Sequence, residues 1–545
     1  MTSAVLAALA LAAAPQARTG DLPPPLPPPL EAEAAPSDPG TFPGDPLEFL
    51  WGHRLDFEGG EPVVAIRLAE GRDELAVLLR GPTRIEPRSA PGRRAAPGMA
   101  LRARVRGTTP AGLSWSPLLA RLDAGDRDGL ERARALWASR GVAVRVRPVG
   151  GVYGIAGRVV DNRQVLVVAA GSFTEGSATA FAADAWNRFG ERTEPVAEVL
   201  ALPAGRVELL GPDGAVVAAG DRVVTLDARA DGVSLDGRAY RGRLHLTVDA
   251  RGALAAILVL PLEELLRGLV PSEMPAGAPP EALRAQAVTA RSNVLAQIGT
   301  RHLADPWSLC SDVHCQAYRG EGAQVASTDA AVRATRGEVL VARGGRLVDG
   351  VYSAMCGGHG EDNDAVWGGT PSENLRGHPD LEPGASGPWA GGLARDAVLA
   401  AFLSSAPPAW CARAPGARPD RYRWERPIPQ SELDRMLAPL GLGPIDGLEV
   451  VERGASGRAI SLRVDGERGS ATVHGELRIR RLLGDLPSAM FLLERVQDGY
   501  RLRGGGWGHG VGMCQWGAIG RAAAGQEHAR ILGAYYPGAA VAHLY

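Results

Sequence analysis

The sequence predicts an α+β protein, in which a β-rich domain with a few helices follows a small α+β region, and three observations carry that reading. Residues 126–140, DRDGLERARALWASR, are helical in pattern and precede the strand-like runs AVRVRPV, VYGIAGRVV and QVLVVAAG, an order that builds a small mixed module. Residues 205–260 read as successive short strands parted by DG, AG and RG turns. A longer helical stretch then opens at Pro279 and Pro280, where a missing N–H costs nothing, and closes at Gly299.

The 545-residue chain is too long for one ordinary core. Its net charge of −2 gives no pull towards nucleic acid or anionic lipid, so no nucleic-acid partner is expected. All 59 basic residues are arginine, which excludes a catalytic or Schiff-base lysine. Residues 2–14, TSAVLAALALAAA, are too short to span a bilayer but suit the centre of a secretory signal, although no basic segment precedes them. The chain therefore divides into a signal-like segment (1–18), a proline-rich linker (19–47) holding LPPPLPPPL, an accessory region (48–200) with a second helix at 177–190, and a main domain (201–545). No other run is long and apolar enough to suggest a membrane span.

Chemistry concentrates in the main domain. In GLVPSEMPAG, Glu273 lies between Pro271 and Pro275 and is expected on a stiff loop, a good mount for an acid. In the helix that follows, Leu283, Ala287, Ala290, Val294 and Ile298 make one apolar face. Gln286, Thr289 and Asn293 lie on another face, with Arg291 beside them. The run RHLADPWSLCSDVHCQAYRG brings His302, Cys310, His314 and Cys315 together, a thiolate and imidazole set suited to tetrahedral zinc, with a disulfide or free thiols as the alternatives. VYSAMCGGHGEDNDAVWGG offers Ser353, Cys356, His359 and Trp367; Cys356 and His359 are rival metal ligands, with Cys356 alternatively the disulfide partner of Cys411.

Residues 375–440 read as loop followed by the helical SELDRMLAPLG, and strands are expected at GLEVVERG, AISLRVDG and ATVHGELRIRRLLG. Seven glycines between Gly504 and Gly517 suggest tightly folded backbone at a cleft, with no P-loop lysine or hydroxyl. Trp507, Trp516, His509 and Gln515 there are candidate sugar contacts.

The runs LEELLRGLVPSEMP, EALRAQAVTARS and GHGVGMCQWGA resemble the diagnostic elements of the stage II sporulation protein D family, which also takes in the amidase-enhancer proteins; the resemblance covers about residues 240–545. It departs at Cys514, where serine is more usual. The resemblance implies that Glu273 is the acid of a lytic transglycosylase acting on peptidoglycan glycan strands. It further implies that Gln286, Gln316, Tyr318, Ser353, Trp367, His509 and Gln515 line the substrate groove and that His302, Cys310, His314 and Cys315 hold a structural zinc ion. Arg291 against Glu273 would lower the acid's pKa, so it is expected instead to bind a substrate carboxylate or brace the loop. The alternative is a non-catalytic enhancer whose partner is a cell-wall amidase. Either protein would be exported to the periplasm or cell envelope. A zinc hydrolase is disfavoured because four protein ligands close the metal.

Overall fold

The computed structural model describes residues 44–312 and 314–545. The signal-like segment and most of the linker lie outside these residues. The last linker residues already enter a helix, Pro46–Gly52, whose Leu47 N–H donates to the Asp45 side chain at 3.1 Å.

Two sheets form the β-rich part. In the first, Asp56–Glu58, Glu61–Arg72, Leu254–Pro261, Arg243–Val248, Val223–Asp227, Thr83–Pro87 and Arg93–Ala95 lie side by side, and Leu309–Cys310 adds to Glu61–Arg72 in parallel. In the second the order is Val216–Asp221, Ala204–Leu210, Ala100–Thr109, Glu74–Leu79, Val233–Leu235, Arg238–Tyr240. Side chains alternate across a strand, so Leu75, Val77 and Leu79 enter the core shared with Leu101, Val207 and Leu209 while Glu74, Ala76 and Leu78 face out. Leu254–Pro261 is apolar on both faces for a reason: Leu254, Ala256, Leu258 and Leu260 join that core, whereas Ala255, Ile257 and Val259 pack on Leu50, Val63, Ala65 and Trp307.

Strands from either side of residue 200 pair within both sheets, Glu61–Arg72 with Leu254–Pro261 and Ala100–Thr109 with Ala204–Leu210, so the main core does not divide there. A separate four-stranded sheet, Glu194–Ala201, Gly112–Asp123, Gln164–Ala169 and Val144–Val149, carries the helices Arg127–Ser139 and Glu175–Phe189. Trp137 packs there against Phe181 and Phe189. This is the α+β architecture expected, with helix and strands in the order read.

The helix Pro280–Gln297 begins and ends as its prolines and Gly299 require, but it is not amphipathic. Every residue from Ala285 to Gln297 is buried. Ala287, Ala290, Val294 and Leu295 belong to the core of the sheets, and Leu283, Ala285 and Val288 to the core of the C-terminal half. A helix enclosed on all sides must satisfy its polar side chains internally.

A third core gathers Ile428, Leu433, Leu462, Val473, Ile479, Phe491 and Leu502. Here ELRIRRL forms the helix Glu476–Leu482 rather than strand, with Ile479 and Leu483 buried one turn apart. Asp396–Ser405, within the segment expected to be loop, is a helix seated by Leu399 and Phe402. Gly517 lies inside the helix Gln515–Ala523, so the glycine-dense stretch is only partly irregular. Among the described residues, no helix is long and apolar enough to cross a membrane.

Candidate functional site

Glu273 ends the helix Leu262–Glu273 rather than standing on a loop. Leu262, Leu265, Leu266, Leu269 and Val270 bury one stripe of that helix, and their packing carries it through Pro271. Proline there forfeits one backbone bond close to the helix end, a small loss beside that burial. Gly268 allows the aromatic ring of Tyr318 to lie against the helix: a Cβ at this position would meet the ring at 2.6 Å.

The carboxylate of Glu273 is partly buried and accepts a bond from the Ala317 N–H to Oε1 at 2.6 Å. Burial raises its pKa above the ordinary 4.5, opposed by the Ala317 amide, the Tyr352 hydroxyl and the Arg319 charge. Its main-chain carbonyl, one of those a helix end leaves unpaired, accepts from Gln515 Nε2 at 2.9 Å. The same nitrogen lies 3.3 Å from Gln286 Oε1. Gln515 thus joins the glycine-dense C-terminal stretch to the acid.

Gln316 lies inside this network. Its Oε1 accepts from Tyr352 OH at 3.0 Å, and its Nε2 donates to Asn293 Oδ1 at 2.7 Å. Tyr352 and Ser353 form a short strand paired in parallel with Met513–Cys514. The buried Ser353 Oγ and Gln286 Nε2 have no hydrogen-bond partner. His509 accepts at Nδ1 from the Val511 amide at 3.1 Å and also bonds the main chain of Tyr352; burial and Arg458 push its pKa down to about 3. Trp367, 48% exposed, lies with its ring 5.0 Å from that of His509. Trp507 is 38% exposed, whereas Trp516 packs against the C-terminal core.

Two expected contacts are placed elsewhere. Arg291 is sealed from solvent. Its Nε and Nη2 donate to the two carboxylate oxygens of Glu263, each at 2.7 Å, and its Nη1 to the Glu338 carbonyl at 2.9 Å. It therefore meets neither Glu273 nor a substrate carboxylate; it ties the central helix to the acid-bearing helix. Tyr318 is also enclosed, its ring 6.1 Å from that of Tyr240, and it fills core instead of lining a groove.

His302, Cys310, His314 and Cys315 place their donor atoms within 4.8 Å of one another. His302 Nε2 lies 3.2 Å from Cys315 Sγ, and His314 Nδ1 lies 3.4 Å from Cys310 Sγ and 3.6 Å from Cys315 Sγ. His302 turns its other nitrogen to Asp305 at 3.0 Å, the carboxylate backing usual for a metal-bound imidazole, and holds a left-handed φ of 53°. Two sulfurs and two nitrogens so gathered fit a closed zinc site. Ala317, which donates to Glu273, follows Cys315 by two residues, so this loop also aims the amide at the acid. His359 is not part of the set. It is buried, its Nδ1 is 2.7 Å from the Gly360 carbonyl, and burial lowers its pKa to about 4.

Three contributors escaped the sequence reading. Tyr352 neighbours Ser353 in sequence, and only its contacts with Gln316 and Glu273 distinguish it. Arg458 and Glu361 gave no local signal. Arg458 is wholly buried and donates to the carbonyls of Cys356, His359 and Gly508, holding two glycine-rich segments together. Glu361, also buried, accepts from Ser456 Oγ at 2.6 Å, which in turn accepts from Arg458.

The stage II sporulation protein family matches residues 250–341, which take in the acid, the central helix and the His302–Cys315 loop, and a domain of unknown function matches residues 361–512, which enclose the third core. An uncharacterised protein of Brachyspira hyodysenteriae is 27% identical over 310 residues, 56% of this chain and 73% of that protein. The amidase enhancer of Bacillus subtilis is 26% identical over 323 residues, 56% of this chain and 44% of that protein. Stage II sporulation protein D of Bacillus subtilis is 24% identical over 306 residues, 53% of this chain and 76% of that protein. With the motifs at Glu273 and Gln515 joined in one site, the chain is similar to stage II sporulation protein D and the amidase enhancer, and its residues 250–341 match the stage II sporulation protein family.

Proposed function

We propose that the protein acts on peptidoglycan in the cell envelope as a lytic transglycosylase, with Glu273 as its single acid and base. The observation that carries this reading is the carboxyl of Glu273, raised in pKa by burial and steered by the Ala317 amide. An ordinary glycosidase pairs two carboxylates, one to protonate the leaving oxygen and one to attack or to activate water. In a lytic cleavage the C6 hydroxyl of the muramic acid attacks instead. Protonated Glu273 would give its proton to the departing glycosidic oxygen and then, as carboxylate, take the proton of that hydroxyl. A raised pKa keeps the acid form populated nearer neutrality.

The exposed faces of Trp367 and Trp507 suit stacking on sugar rings, while Gln286 Nε2 and Ser353 Oγ are buried polar atoms without partners beside the acid-bearing network. His509 and Gln515 position the strand and the acid rather than titrate. A zinc ion on His302, Cys310, His314 and Cys315 would be structural, holding the Ala317 amide in place.

The second reading, a non-catalytic enhancer working with a cell-wall amidase, is favoured by the likeness to the amidase enhancer, although the aligned part is less than half of that protein. Incubating the purified protein alone with peptide-free glycan strands and analysing the products by mass separates the two. The lytic reading expects 1,6-anhydro ends from the wild type and none from E273Q. Binding of strands without products, together with stimulation of an added amidase, would establish the enhancer instead.

A further inference from the structure

Away from the His302–Cys315 loop, three sulfurs meet in the core of the C-terminal half. Cys356 follows the strand Tyr352–Ser353, Cys411 lies in the short helix Trp410–Arg413, and Cys514 caps the helix Gln515–Ala523. All three are buried, and their Sγ atoms lie within 4.8 Å of one another. The Cys356 and Cys411 sulfurs are 3.8 Å apart, and Asp380 Oδ2 is 3.4 Å from Cys356 Sγ.

Main-chain amides are aimed at two of the sulfurs. Cys514 Sγ accepts from the Cys356 N–H at 3.1 Å and from the Gly517 N–H at 3.2 Å, and Cys356 Sγ accepts from the Gly358 N–H at 3.3 Å. Such donors complement a metal-bound sulfur, and three soft donors gathered at one point call for a cation. Arg521 does not meet that need: its Nη2 pairs with the other Asp380 oxygen, Oδ1, at 2.8 Å. A cavity of about 10 Å³, lined in part by Cys356, Asp380, Cys514 and Tyr535, adjoins two of the three sulfurs. That volume admits one small particle such as a water or an ion, not a cluster of metals. Soft sulfur donors select zinc over magnesium or calcium. Four sulfurs held about 2.3 Å from a zinc ion stand roughly 3.8 Å apart, which is the spacing of Cys356 and Cys411.

We propose that Cys356, Cys411 and Cys514 form a second zinc site, buried in the core and therefore structural; Asp380 Oδ2, which accepts from Tyr535 OH at 2.9 Å, borders it. The site would clamp three segments distant in sequence. Two of them bear Tyr352 and Gln515, so the ion would fix the register of the strand and helix that flank Glu273. The competing arrangement is a Cys356–Cys411 disulfide with Cys514 left as a thiol, which needs an oxidant and no metal.

The full chain, purified without chelator, is tested by counting zinc per protein by mass spectrometry together with free thiols under denaturing conditions. The proposal expects C411S to carry one zinc fewer than the wild type, C315S to lose a different one, and all five thiols to be free once metal is removed. Equal zinc in wild type and C411S overturns it, as does a wild-type mass lighter by two hydrogens with a linked Cys356–Cys411 peptide. If C411S does not fold, C315S is loaded with cobalt in place of zinc. A thiolate-to-cobalt charge-transfer band supports the three-sulfur site, and its absence overturns it.

Discussion

The backbone amide of Ala317 donates to the carboxylate of Glu273 at 2.6 Å, and Ala317 sits two residues beyond Cys315. A loop with the donors for a metal is thereby joined to the acid by one main-chain hydrogen bond.

The pH dependence of stability should report the buried acid. Glu273 has its pKa raised by burial above 4.5, so ionising it is harder in the folded protein than in the unfolded chain. Its contribution is fully present below about pH 4.5 and is lost as pH rises through the raised folded value. E273Q removes that loss. The melting temperature of E273Q relative to wild type should climb between pH 4.5 and the folded pKa and then level off. A difference unchanged across pH would remove burial as the cause of the shift.

Tyr352 should tune the same group. Its hydroxyl lies 3.0 Å from Gln316 Oε1 and its bond to Glu273 lowers the acid's pKa. In Y352F the alkaline limb of the pH–rate profile should move upwards, because Glu273 keeps its proton to higher pH. The one hydroxyl hydrogen is shared between Gln316 Oε1 and the Glu273 carboxylate, so its loss leaves one of them short of a donor and should also cost about 1–3 kcal/mol of stability in urea unfolding. An alkaline limb that stays in place would show that the hydroxyl does not act on the acid.

Arg291 should matter for folding and not for substrate. It is fully buried against Glu263, and removing one partner of such a pair costs about 3–5 kcal/mol. R291M should unfold at markedly lower urea, whereas the KM of the folded fraction for glycan strands stays within about twofold of wild type, since a lost charged hydrogen bond to substrate would weaken it more. A tenfold rise in KM with stability intact would restore the substrate role.

Metal loss at the His302–Cys315 loop should act on the acid through Ala317. In C315S, amide exchange at Ala317 and its neighbours should accelerate, and turnover should fall while the sheets remain protected. Because thiolate and neutral imidazole are the binding forms, the wild-type loop should lose the metal on acidification. Slow exchange at Ala317 in C315S would separate the loop from the acid.

The sequence by itself determined the α+β class, the limits of the central helix from Pro280 to Gly299 and the grouping of His302, Cys310, His314 and Cys315. These follow from local spacing, prolines and glycines at element ends, and donors only a few residues apart. Tertiary structure alone decided that Arg291 serves Glu263, that Tyr318 packs against Gly268 and Tyr240, that Tyr352 and Gln515 reach the acid, and that Cys356, Cys411 and Cys514 converge. A helix enclosed between two cores keeps no solvent-facing stripe from which its polar contacts could be read. The Cys356 amide bonds a sulfur 158 residues further along the chain, a distance over which periodicity carries no information.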